Sequence, residues 1–292
     1  MPELHTRVAH SADGTPVEYL TVGHGPHVIA VPGALALASD LIPLATLLAQ
    51  RHTVHVVQRR GRGGSGPQGD QYGIARECED IEAVRGAAGA RLIFGHSFGG
   101  LVAARAAAGS RAYEAVAVYE PGISVSGSVP VGWIDRARQE VAAGADFEAF
   151  ITFIRGVNPE QTGRMPRWLL RVIVKRAIAP AELRQNLALM PQAISEHEEV
   201  GRLDSRLADY REVTAPTLIM RGKGRAAGRQ AVALARLAET IPRAESVTFQ
   251  GLDHFAPEKK PAAIASAVLR FFAAHAQADA PGLSQARTSR LP

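Results

Sequence analysis

The sequence has very little cysteine, few aromatic residues and no long apolar run. The single cysteine, Cys78, excludes a disulfide within the chain, so folding needs no oxidising compartment. No apolar stretch approaches the roughly 20 residues that cross a bilayer, so we expect no membrane partner. The first residues, Met1 to His5, also lack the basic and then apolar order of a signal peptide. These absences predict a cytoplasmic protein.

What remains is ordinary globular composition, with 46% of the 292 residues hydrophobic and 21% charged. This length favours one large α/β domain, or one domain with an insertion, over two independent domains. The net charge is +5, and three arginines cluster in Arg59-Arg60-Gly61-Arg62. The other arginines are scattered, and no nucleic-acid-binding motif accompanies them. We therefore expect a small-molecule substrate and no nucleic-acid partner, and the sequence leaves the oligomeric state open.

Short apolar runs alternate with helical patterns over most of the chain. The predicted strands are Thr6–His10, Pro16–Val22, His27–Val31, Thr53–Val57, Arg91–Phe94, Ala115–Tyr119, Thr217–Arg221 and Ser246–Gln250. The predicted helices are Asp40–Gln50, Ile74–Ala88, Gly99–Ala108, Gln230–Thr240 and Lys260–Ala274. The first two strands form a hairpin, and the later ones require helical crossovers. This order predicts an α/β fold with a mainly parallel sheet and helices on both faces.

The alternation stops between residues 124 and 210, where no strand pattern occurs. Four helices are predicted there, namely Trp133–Ala142, Phe147–Arg155, Pro166–Ala177 and Ala181–Leu203, the last with a kink at Pro191. A long helical insertion at the carboxyl end of a parallel sheet commonly covers the ligand crevice. We therefore predict a core of residues 1–123 and 211–276, a helical cap at 124–210 and a disordered tail at 277–292.

The strongest motif is Gly-x-Ser-x-Gly, present as Gly95-His96-Ser97-Phe98-Gly99. It stands between a predicted strand and a predicted helix of small residues. A sharp strand-to-helix turn of this kind holds the serine in a strained conformation with its hydroxyl exposed above the sheet. The helix N-terminus also favours developing negative charge. Ser97 is therefore the predicted nucleophile.

With this motif in place, the chain resembles the α/β-hydrolase superfamily over about residues 5–275. The loop from Arg59 to Gly66 is similar to that superfamily's RGxGxS loop, although Gln58 stands where many members carry an aspartate. The segment Val118-Tyr119-Glu120-Pro121 is similar to small bacterial members with a helical cap. The resemblance implies the α/β-hydrolase fold, with eight strands, helices on both faces and a cap.

Serine catalysis needs a base that accepts the serine proton and later returns it. His254 follows the last predicted strand and matches the superfamily's histidine position. His197, between Glu196 and Glu198, is interpreted as a solvated helical residue. His96 adjoins the nucleophile and is expected to line the site while pointing away from Ser97.

An oxyanion hole needs two preorganised donors, and backbone amides suffice. We expect one from Phe98, directly after the nucleophile, and one from the loop after the third strand. Pro32 has no N–H and stands where the superfamily usually carries histidine, so Ala34 is the predicted second donor.

The acid that orients His254 is where the sequence departs most from the superfamily. Most members carry an aspartate after the strand that follows the cap, but there is no Asp or Glu from Val213 to Ala238. Glu120 is the acidic residue at the carboxyl end of the preceding strand, and we assign it the role. Asp204 and Asp209 are the alternatives, and Asp253 is too close to His254 in sequence to face it.

The residues and the resemblance together predict a cofactor-free, metal-free serine hydrolase. Its expected substrate is a small ester, lactone or thioester, cleaved through an acyl-enzyme, with Trp133, Phe153 and Trp168 of the cap in an apolar pocket. Two alternatives stay open. The same site would serve acyl transfer, cyclisation, a lyase reaction or carbon–carbon cleavage if water were excluded, or the fold would be a binding protein with a degraded triad.

Overall fold

An eight-stranded sheet organises the residues that the computed structural model describes, which are 3–222 and 228–275. Its strands are β1 (His5–His10), β2 (Pro16–Gly23), β3 (His27–Val31), β4 (Thr53–Val57), β5 (Leu92–His96), β6 (Ala115–Tyr119), β7 (Thr217–Gly222) and β8 (Ala244–Phe249). The spatial order is β1-β2-β4-β3-β5-β6-β7-β8. β2 pairs antiparallel with β1 and β4, and all other neighbours are parallel. The predicted fold class is confirmed.

Twelve α-helices accompany the sheet within the described residues. They are α1 (Ile42–Leu48), α2 (Ile74–Ala88), α3 (Phe98–Ala107), α4 (Ile134–Ala142), α5 (Asp146–Val157), α6 (Pro159–Thr162), α7 (Arg167–Ala177), α8 (Pro180–Ala188), α9 (Met190–Arg202), α10 (Arg229–Thr240), α11 (Ala256–Lys259) and α12 (Ala262–His275). Short 3₁₀ helices occur at Ala38–Leu41 and Leu207–Glu212. No helix among the described residues is both long and apolar enough to span a bilayer.

Apolar layers cover both faces of the sheet, as its near-continuous hydrophobic strands require. On one face α2, α3 and α10 bury side chains such as Ile81, Leu101 and Leu237. On the other face α1 and α12 bury Leu44 and Phe272. Each such side chain contributes about 1.5–3 kcal/mol when fully removed from water. The sheet is therefore a rigid platform whose carboxyl edge carries the candidate site.

Between β6 and β7 the chain forms α4 to α9, which we call the helical insert. It has a hydrophobic cluster of its own, built around Trp133, Phe150, Ile151 and Met190. The sequence predicted one kinked helix over 181–203, but the structure has two, because Leu189 separates α8 from α9. Pro191 lies in the first turn of α9, where its missing N–H leaves no intrahelical bond unmade. The predicted tail at 277–292 lies outside the described residues.

Candidate active site

The Gly-x-Ser-x-Gly motif forms the sharp turn between β5 and α3. Ser97 has φ 53° and ψ −121°, so the predicted strained conformation is confirmed. A Cβ on Gly95 would overlap the Gly99 carbonyl oxygen, and a Cβ on Gly99 would overlap the Val31 carbonyl oxygen. Only glycine fits at these two positions, because strand, turn and helix approach one another so closely. The turn leaves Ser97 partly exposed between buried neighbours.

His254 lies on the loop between β8 and α11, and two side chains from the sheet hold that loop. The Tyr119 hydroxyl donates to the Asp253 carbonyl oxygen at 2.7 Å. The His96 ring donates through Nε2 to the His254 carbonyl oxygen at 2.8 Å. The His254 ring then faces the nucleophile, with Nε2 3.1 Å from Ser97 Oγ.

Glu120 directly follows β6 and has φ 41°, an uncommon conformation that turns its side chain toward His254. Its Oε2 accepts from His254 Nδ1 at 2.7 Å, and its Oε1 accepts from the Gly222 N–H at 3.0 Å. Burial opposes ionisation of this carboxyl, but the hydrogen bond and charge of His254 and the Gly222 amide outweigh it and lower its pKa. A charged Glu120 fixes the proton on Nδ1, so Nε2 is free to accept the Ser97 proton.

The three other candidate acids are bound elsewhere. Asp204 accepts from the Ser124 hydroxyl at 2.5 Å and from the Gly127 N–H at 3.0 Å. Asp209 pairs with Arg105 at 2.6 Å. Asp253 accepts from the Phe255 N–H at 3.0 Å. Of the four candidate acids, Glu120 alone contacts His254 in the described part of the chain.

The two backbone amides predicted to form the oxyanion hole, those of Ala34 and Phe98, have no hydrogen-bond acceptor among the described residues. Within residues 3–222 and 228–275, neither the Ala34 N–H nor the Phe98 N–H donates a hydrogen bond. Phe98 is the first residue of α3, where the dipole and the unpaired amides favour negative charge. Ala34 follows Gly33, whose added Cβ would come 3.1 Å from the Ser97 Cβ. A serine, an imidazole and a carboxylate in one hydrogen-bonded line, together with free backbone amides, are the groups that acyl transfer uses.

The helical insert brings aromatic side chains toward this edge of the sheet. The Phe153 ring meets the Trp133 ring edge-on at 5.1 Å and the His197 ring at 5.3 Å. Leu35, next to Ala34, packs against the same hydrophobic cluster. The interpretation of His197 as solvated is wrong, because its ring packs edge-on against both Trp133 and Phe153 and its Nδ1 donates to the Ala193 carbonyl oxygen at 2.7 Å. Burial lowers its pKa, and the nearby His254 lowers it further.

Two residues expected to line the substrate pocket are placed elsewhere. Trp168 is 63% exposed, because α7 buries Leu170 and Val174 and Trp168 falls on the opposite side of that helix. His96 is buried beneath His254, where Nε2 donates to the loop and Nδ1 lies 3.3 Å from Glu258 Oε1. In this position the His96 ring supports the loop that carries His254.

The sequence did not single out a buried ion cluster beside the site, formed by Arg59, Arg62, Glu77 and Glu196. Arg59 pairs with Glu77 at 3.0 Å and with Glu196 at 2.8 Å, and Arg62 pairs with Glu196 at 2.5 Å. The side chains of all four are fully buried. The sequence of α9 did contain a signal for the burial of Glu196. This residue is three positions after Ala193 and four before Val200, so it lies on the same buried face of the helix.

Comparison with known proteins agrees with the fold described above. Residues 10–267 match the Alpha/beta hydrolase family. A 2-(acetamidomethylene)succinate hydrolase from Mesorhizobium japonicum is 26% identical over 257 residues, covering 85% of this chain and 88% of that protein.

Solved structures extend the comparison. An alpha/beta hydrolase from Sphaerobacter thermophilus is 32% identical with a TM-score of 0.78, covering 91% of this chain and 100% of that one. A hydrolase from Pseudomonas aeruginosa is 19% identical with a TM-score of 0.69, covering 92% of this chain and 98% of that one, and shows the shared fold.

Proposed function

Because this chain belongs to the Alpha/beta hydrolase family, we propose that it is a serine hydrolase that cleaves a small ester, lactone or thioester through an acyl-enzyme. The observation that carries the proposal is the continuous hydrogen-bonded line from Ser97 through His254 to Glu120, with separations of 3.1 Å and 2.7 Å. The strained Ser97 backbone and the two unpaired amides support it.

In this mechanism Ser97 Oγ attacks the substrate carbonyl carbon while His254 Nε2 takes the hydroxyl proton. Glu120 stabilises the resulting imidazolium, and the Ala34 and Phe98 amides hold the oxyanion. Collapse of the tetrahedral intermediate breaks the bond to the leaving group, which receives the proton from His254. Water then attacks the acyl-enzyme, His254 removes the water proton, and release of the acid returns that proton to Ser97.

The proposal is tested by labelling the purified protein with a fluorophosphonate and by assaying p-nitrophenyl esters of increasing chain length. We expect labelling at Ser97 and hydrolysis of short esters. Labelling without release of free acid would favour acyl transfer or another non-hydrolytic reaction at the same site. Absence of both would favour a binding protein. The name of the Mesorhizobium relative adds 2-(acetamidomethylene)succinate to the compounds assayed.

We also propose that the helical insert forms the apolar wall of the substrate pocket. Leu35 joins the aromatic cluster of the insert to the loop that carries the Ala34 amide. Phe153 and His197 are both half-buried, whereas Trp133 is buried, and of the two half-buried rings Phe153 is the apolar one. In a substrate bound above Ser97, the chain that extends away from the reacting carbonyl would contact this group.

For this wall we expect Phe153→Ala to lower kcat/KM for a long-chain p-nitrophenyl ester more than for p-nitrophenyl acetate. Each methylene buried against the wall is worth about 0.8 kcal/mol, or roughly a fourfold change in kcat/KM. Trp168→Ala is the matched control, because that ring lies on the outer face of α7. Equal losses for the acetate and the long ester, or an equal effect of Trp168→Ala, would contradict the assignment.

A further inference from the structure

The peptide between Gly33 and Ala34 is held from one side by a buried arginine. Arg59 Nη2 donates to the Gly33 carbonyl oxygen at 3.0 Å. The same guanidinium lies over the Phe98 ring, with Cζ 4.8 Å from the ring centroid. Arg59 thus contacts the peptide that carries the Ala34 N–H and the side chain of Phe98, whose N–H is the other candidate donor.

The contact with the Gly33 oxygen determines where the Ala34 N–H points. The carbonyl of residue 33 and the amide of residue 34 belong to one planar trans peptide, in which the C=O and N–H bonds are antiparallel. A donor that fixes the oxygen on one side therefore fixes the N–H on the other. The positive charge of the Arg59 guanidinium next to this oxygen also polarises the peptide and strengthens the N–H as a donor.

Charge balance alone does not require this contact. Arg59 and Arg62 carry two positive charges, and Glu77 and Glu196 carry two negative ones, so the cluster is neutral without the Gly33 carbonyl. Removing one member of such a buried pair leaves an uncompensated charge, which is costly. Glu77 belongs to α2 and Glu196 to α9 of the helical insert. The helical insert therefore helps to position Arg59, and Arg59 in turn positions the peptide between Gly33 and Ala34.

We propose that Arg59 is a positioning residue for the oxyanion hole, and that Glu196 makes its alignment depend on how the helical insert is seated against the core. The proposal rests on the serine-hydrolase function proposed above. Arg62 provides the comparison, because it is equally buried and also pairs with Glu196. Its other hydrogen bond goes to the Arg60 carbonyl oxygen and not to the oxyanion loop.

The test compares Arg59→Met with Arg62→Met in the full-length protein. For Arg59→Met we expect kcat for p-nitrophenyl acetate to fall about 10- to 100-fold while KM changes less than about threefold, because the oxyanion interaction is made in the transition state. Affinity for a trifluoromethyl ketone, which forms a charged adduct with the serine, falls by the same factor. Arg62→Met lowers the melting temperature similarly but leaves kcat and ketone affinity within about threefold.

If Arg59→Met does not fold, the double variant Arg59→Met/Glu196→Gln removes one charge of each sign and gives the same readout. Turnover and ketone affinity close to wild type in either Arg59 variant would overturn the proposal. An equal loss in Arg62→Met would overturn it too, since the effect would then belong to the ion cluster as a whole. A wild-type protein that neither labels nor hydrolyses esters would instead refute the proposed function.

Discussion

Replacing Ser97 with alanine is expected to abolish covalent labelling by a fluorophosphonate and to lower ester turnover by more than about 10³-fold. The change removes the oxygen that His254 Nε2 faces at 3.1 Å, and no water held at that place would reproduce an acyl-enzyme. Stability should change little, because Ser97 makes no side-chain cap on α3 and its backbone bonds remain. The measurements are gel labelling, initial rates and the melting temperature.

The matched control is Ser266→Ala, which removes an exposed hydroxyl on α12 that accepts a hydrogen bond from Arg270 and not from a residue of the site. Labelling and turnover of this variant should equal those of the wild type. Retained turnover in Ser97→Ala would reject the serine mechanism and favour a reaction that uses the fold only to enclose its substrate. Loss of turnover together with a large fall in melting temperature would trace the effect to unfolding.

Much of this site was predictable because it depends on local signals and on one topological rule. The strands Thr53–Val57 and Ala115–Tyr119 agree residue for residue with the structure, since each is a compact apolar run ended by turn residues. The ends of parallel strands meet at one edge of a sheet. Glu120 and His254 could therefore be placed near Ser97 although 134 residues separate them from each other.

The rest was not predictable, because it depends on which distant side chains meet. Arg59 stood out in the sequence only as one of three clustered arginines, because its partner Glu196 lies 137 residues away. His197 stands among carboxylates in sequence, but the fold packs its ring against two aromatic rings. Trp168 shows the opposite case, since its size favoured the interior while the helical phase of α7 placed it outside. Local patterns do not contain this information.

Glu120→Gln is expected to keep the fold and to lower turnover by about two to four orders of magnitude. In the wild type both carboxylate oxygens accept, one from His254 Nδ1 and one from the Gly222 N–H. A glutamine has a single oxygen, so an NH₂ group must face one of these donors. If it faces His254, the ring proton moves to Nε2, which can no longer accept the proton of Ser97. The charge that stabilises the imidazolium is lost in either orientation.

Two further variants separate this role from a structural one. Asp204→Asn makes the same carboxyl-to-amide change where the carboxylate binds Ser124 and Gly127 instead of His254, so turnover should stay near that of the wild type. Glu120→Asp keeps both oxygens on a shorter side chain and should recover part of the rate. Near-normal turnover in Glu120→Gln would remove Glu120 from the mechanism. A collapse in Asp204→Asn would move the role there, and full activity in all three variants would leave Ser97 and His254 acting as a dyad.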